Sequence, residues 1–123
     1  MHYALVFLGG GVGAALRHAV NLAVARLGYA FPVGTLAVNV LGSVLMGVLV
    51  AWFALRTGTH QHVKLLLTTG LLGGFTTFSA FSLDSALLWK RGAFAELVLY
   101  AGSSVVLAVA GLFAGMAAVR LLA

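Results

Sequence analysis

The sequence has no cysteine and only two acidic residues, Asp84 and Glu96. The first absence excludes a disulfide framework and any thiolate metal site. Charge of either sign is scarce: charged residues make up 7% of the chain, where a soluble domain carries about a quarter. At 63% hydrophobic the chain is too apolar to be disordered and too poor in polar surface for a water-soluble fold of this size. The net charge of +5 does not point to nucleic acid, because six of the seven lysines and arginines are scattered at the ends of apolar segments, where membrane proteins keep them. Met1-His2-Tyr3 lacks the basic region of a signal peptide, so the first apolar stretch is read as a span rather than a leader.

Long apolar runs are what the sequence does contain. Four are evident, at about Tyr3 to Leu27, Val33 to Leu55, Val63 to Trp89 and Phe94 to Leu122. Each is long enough for the roughly twenty residues that a membrane crossing needs. Backbone polar groups in lipid must be paired internally, and no alternating segments of the β-barrel type occur, so the runs are expected to be helices. Trp52, Trp89 and Tyr29 lie near span ends, where interfacial aromatics collect. The expected fold is therefore a single all-α transmembrane domain of four helices over residues 1–123.

Four spans put both termini on one side, which then holds Arg56, Lys64 and Arg120. The opposite side holds Arg26, Lys90 and Arg91. This balance gives no orientation by the positive-inside rule. Either a weak bias is decided by other factors, or the chain inserts both ways and pairs antiparallel. Glycines four residues apart (Gly9 and Gly13, Gly70 and Gly74, Gly111 and Gly115) let helix backbones approach closely in lipid, a packing signal that also supports oligomerisation.

Polar residues inside the spans are the candidates for function. Arg17 lies mid-way along the first span, with Asn21 one turn on; a charge there faces protein or water, or snorkels to an interface. Thr35, Asn39 and Ser43 form a stripe on one face of the second span, either as interhelical glue or as a row of donors. Tyr100 and Ser104 repeat the spacing on the fourth. In the third span, Gly73-Gly74 followed by Thr76-Thr77 predicts a break in the helix near Gly73 to Thr77. Irregular backbone at that depth is tolerated where it is buried in protein or lines a cavity, and carbonyls freed there can hold a cation. Phe78 and Phe81 follow on nearly one face; such rings are usually packing, but their positive edges can face an anion. A mid-membrane arginine, neutral donors, aromatic edges and almost no acid together suit a small anion.

Three blocks of this sequence resemble the CrcB/Fluc fluoride channels. They are Gly9 to Arg17, Gly34 to Ser43, and Gly73-Gly74-Phe75-Thr76-Thr77-Phe78-Ser79-Ala80-Phe81, in that order along essentially the whole chain. The resemblance implies a fluoride-selective channel built as an antiparallel, dual-topology homodimer with two pores, in a prokaryotic plasma (inner) membrane. It implies a structural sodium ion (Na+) at the dimer interface, held by the main-chain carbonyls of Gly73 and Thr76. It assigns Asn39, Phe78, Phe81, Tyr100 and Ser104 to the fluoride path, alongside the stripe residues Thr35 and Ser43, and gives Arg17 a structural or vestibular part. Two positions depart from the family pattern: Ala108 stands where another hydroxyl often extends the track, and Ala80 where threonine is common. The implied physiology is passive export driven by the membrane potential.

Two other classes share some of these features. A small proton-coupled multidrug antiporter needs an intramembrane carboxylate, and Asp84 is the acid available in the third span. A non-conducting scaffold would use the polar residues for assembly. An enzyme is not expected, since the four histidines form no nucleophile–base set.

Overall fold

The computed structural model describes residues 1–56, 58 and 60–123, and within them every regular element is helical. In chain order these are α1 (His2–Ala25), α2 (Val33–Leu55), α3 (Gln61–Leu65), a π-helical segment (Leu66–Leu72), α4 (Gly73–Phe75), α5 (Phe78–Lys90) and α6 (Phe94–Leu122). Four stretches are long and apolar enough to cross a membrane: α1, α2, the joined pieces from Gln61 to Lys90, and α6. The turns between them use glycine where the backbone must enter the left-handed region. Gly28 (φ 75°) follows α1 and Gly92 (φ 74°) follows α5, each giving its N–H back to the preceding turn, as helix C-terminal glycines do.

The spans pack as two layers of contact. α2 lies along α6, while α1 lies along the π-helical segment and α4. Glycine makes both approaches close. Gly9 and Gly13 of α1 face Gly70 and Gly74: a Cβ on Gly9 would sit 2.7 Å from the Leu66 carbonyl oxygen, and one on Gly74 would run into the backbone of Gly10. On the other pair, a Cβ at Gly47 would strike the Leu112 carbonyl and one at Gly115 the Val44 carbonyl. The glycine pairs thus bring helices together inside one chain, the packing half of their expected role.

Side chains fully removed from the surroundings are few; Val38 and Tyr100 are the largest. Much of α5 and α6 faces outward. The near end of the third span lies beside the start of α1, with the His2 and His62 rings 5.2 Å apart. His62 sits in the first turn of α3.

Candidate functional site

Between α4 and α5 the third span changes direction. Thr76 (φ −86°, ψ 157°) and Thr77 (φ −152°, ψ 118°) are extended. Two glycines, Gly73 and Gly74, and two β-branched residues, Thr76 and Thr77, on either side of Phe75 make this the weakest helical stretch of the span. Side chains from the neighbouring spans hold it in place. Asn39 of α2 makes a paired contact with the Thr77 backbone: its Nδ2 donates to the Thr77 carbonyl at 2.9 Å, and its Oδ1 accepts from the Thr77 N–H at 2.7 Å. Arg17 of α1 donates from Nη1 to the Thr76 carbonyl at 3.4 Å, so the guanidinium turns into the protein and does not snorkel. Thr77 also caps α5, its Oγ1 accepting from the Ala80 N–H at 3.1 Å, a standard use of threonine at a helix start.

These contacts redirect two N–H groups. In a regular α-helix the N–H of residue 77 bonds the carbonyl of 73, and that of 80 the carbonyl of 76. Here the first goes to Asn39 and the second to the Thr77 hydroxyl. The Gly73 and Thr76 carbonyls are consequently left without those partners. Gly73 is exposed, with no side chain to cover it.

A cleft of about 390 Å³ opens beside the joint. α2 contributes Asn39, Gly42, Ser43 and Met46; the joint contributes Thr76 and Thr77; α5 contributes Phe78 and Phe81. α6 closes it with Ser104, Val105, Ala108, Val109 and Leu112. Gly42 lets the Thr76 methyl lie directly on α2. No acid and no base lines this cleft among the described residues. Phe78 and Phe81 stand with ring centroids 5.4 Å apart. Phe78 is 77% exposed, at the open edge. The Ser104 hydroxyl is buried and has no hydrogen-bond partner, an uncommon state for a buried polar atom.

Of the residues singled out in the sequence, Asn39, Ser43, Thr76, Phe78, Phe81 and Ser104 meet in the cleft. Thr35 and Tyr100 are buried behind it. The Tyr100 ring stacks at 5.2 Å on Phe81 and meets the edge of Phe31 at 5.6 Å. Its hydroxyl donates to Asp84 Oδ2 at 3.0 Å. Gly73 and Arg17 lie outside the cleft lining, at the joint. Sequence reasoning passed over Met46, which continues the Asn39 stripe by two turns and was legible on that ground. It also passed over the apolar lining of α6 and the role of Phe31, for which the sequence carries no separate signal.

The model of the family described as CrcB-like protein, Camphor Resistance (CrcB), matches residues 4–116. A protein of Rhodopseudomonas palustris (strain BisB5), named "Fluoride-specific ion channel FluC", is 57% identical over 121 residues, 98% of each chain. One of the same name from Methylobacterium nodulans is 56% identical over 116 residues, 94% of each chain. Another from Granulibacter bethesdensis is 51% identical over 123 residues, covering 99% of this chain and 97% of its own.

Proposed function

The chain belongs to the CrcB-like family, and from that premise we propose that it is a fluoride-specific ion channel of the bacterial membrane, a multi-pass protein and not an enzyme. The observation that carries the reading is the chemistry of the cleft: hydroxyl and amide donors and aromatic rings converge at the joint of the third span, with no carboxylate among its lining.

A small anion holds its water tightly, and to pass it must exchange that water for other donors along the way, each weak enough to release it. Asn39 retains one N–H beyond the one given to Thr77, Ser43 and Ser104 offer hydroxyls, and the ring edges of Phe78 and Phe81 carry positive potential. Ser104 is the donor best suited to the task, because its hydroxyl has no protein partner to give up. The membrane potential, negative inside, drives the ion outward without a chemical cycle. Family membership favours this channel over a proton-coupled carrier, and Asp84, which such a carrier would need, lies outside the cleft and accepts the Tyr100 hydroxyl.

Several finer features belong to the same reading. The working unit is an antiparallel homodimer with two pores: the cleft is open on one side, Phe78 projects from the protomer, and a second copy would close it. The joint serves as the helix break expected near Gly73 to Thr77. The carbonyls of Gly73 and Thr76 suit a sodium ion, since both have lost helical N–H partners and such oxygens favour a hard cation. The ion would supply a fixed positive charge that ties main chains together. Arg17 already donates to the Thr76 oxygen, whose second lone pair remains for it.

The test is fluoride efflux from vesicles holding only the purified protein, read by a fluoride electrode. Rapid, fluoride-selective dissipation of the gradient is expected. Vesicles that retain fluoride with intact, paired protein would overturn the reading.

A further inference from the structure

Asp84 is one of two acids in the chain, and the one within the third span. Glu96, the other, is exposed and pairs with Arg91 at 3.4 Å. Asp84 instead accepts a hydrogen bond from the Tyr100 hydroxyl at 3.0 Å. A charge at membrane depth is costly unless it has such a partner. The position of Tyr100 gives the contact its interest. Its ring is fully buried and lies at 5.2 Å against Phe81, which in turn faces Phe78 at 5.4 Å in the cleft. On its far side, Asp84 lines a second cavity of about 360 Å³ with Pro32, Lys90 and Arg91, at the basic end of α5. One carboxylate thus stands between a basic mouth and the back of the aromatic pair.

We propose that Asp84 is a positioning residue for Phe81, acting through Tyr100: the carboxylate fixes the Tyr100 hydroxyl, and the fixed ring supports Phe81. The inference rests on the channel reading for its consequence in transport, but the contact chain exists whether or not the protein conducts. A hydroxyl has one proton to donate, and in this structure Asp84 receives it. With the hydroxyl held, the Tyr100 ring is fixed against Phe81. The T-shaped contact with Phe31 at 5.6 Å packs a further ring against Tyr100, so that hydroxyl and ring are both held.

Three variants separate this from other roles of the same residues. Asp84→Asn keeps an acceptor oxygen for Tyr100 and removes the charge. Asp84→Ala and Tyr100→Phe each remove the hydrogen bond. The first readout is the 19F NMR signal of 4-fluorophenylalanine placed at position 81 in the full-length protein, which needs no transport. Asp84→Ala and Tyr100→Phe are expected to shift or broaden it in the same way, and Asp84→Asn to leave it near the wild-type position. The second readout is fluoride flux. Loss of a buried hydrogen-bond partner is expected to slow it about tenfold in Asp84→Ala and in Tyr100→Phe, with the double variant no slower than the worse single one. Asp84→Asn should retain wild-type flux within about twofold.

An unmoved 19F signal in Asp84→Ala overturns the proposal. So does a flux loss in Asp84→Asn equal to that in Asp84→Ala, which would make the charge itself the agent. Additive losses in the double variant would show that the two residues act separately and overturn it too. A wild-type protein that moves no fluoride but shows the expected 19F pattern would sink the channel reading and leave the positioning intact.

Discussion

Asn39 does two jobs with one amide. Its oxygen and one of its N–H groups hold the extended backbone at Thr77, and the residue also lines the cleft with a second N–H to give. Substitution should therefore affect stability and transport together. Asn39→Ala abandons two hydrogen bonds at a part-buried site, which is expected to lower stability by about 1–3 kcal/mol in thermal unfolding of the detergent-solubilised protein, and to stop fluoride flux. Asn39→Asp keeps the acceptor for the Thr77 N–H but cannot donate to the Thr77 carbonyl and adds negative charge. Its flux should be abolished even where folded protein is recovered, and measurable fluoride flux in that variant would argue against an anion passing here. Ser104 gives the opposite pattern. Its buried hydroxyl has no partner, so Ser104→Ala removes an unsatisfied group and is expected to leave unfolding temperature unchanged or raise it, by up to about 1 kcal/mol in stability. Flux should nevertheless fall. A variant that loses stability in step with flux would show the hydroxyl to be structural.

At the scale of the helices, the close approaches made by glycine decide whether the joint is held in place. Gly13 of α1 packs against the Leu71 carbonyl and the Phe75 N–H, so a methyl there meets backbone that cannot step aside. Gly13→Ala is expected to cost about 1–3 kcal/mol, the usual range for overpacking, although alanine alone would favour the helix. Gly102 on α6 has open space around it, and Gly102→Ala should show no such loss; equal destabilisation of the two in thermal unfolding would refute the packing account. This contrast also marks how far the sequence could be read. The four spans were legible because hydropathy and length alone determine them. The cleft's polar face was legible because Asn39 and Ser43 on the second span, and Tyr100 and Ser104 on the fourth, each recur at helical spacing. Spacing cannot say which way a side chain is committed once helices meet. Tyr100 and Ser104 have the same spacing signal, yet one hydroxyl is bonded to Asp84 and the other is unpartnered. Likewise the glycine pairs announced close contact, but only the packed chain revealed that their partners are α1 against the third span and α6 against α2.

For the whole molecule, the decisive quantity is the balance of basic charge between the two sides. The His2 and His62 rings meet at 5.2 Å, which puts the start of α1 and the start of the third span together, as four crossings require. Arg56, Lys64 and Arg120 then oppose Arg26, Lys90 and Arg91. Orientation depends on such counts in short loops near the span ends, so a two-residue change should be enough to commit it. Lys64→Gln with Arg120→Gln leaves Arg56 alone against three, and the termini should then face outward in every copy. Arg26→Gln with Lys90→Gln leaves Arg91 alone against three and should fix the termini inside. If the working unit is an antiparallel pair, each double variant expressed by itself will be unable to form it, and fluoride resistance of the host should be lost in both. Expressed together, the two supply opposite orientations and should restore resistance. Terminal tags probed from each side of the membrane report the orientation directly. Full resistance from either double variant alone, with its orientation shown to be uniform, would require a unit in which all copies point the same way.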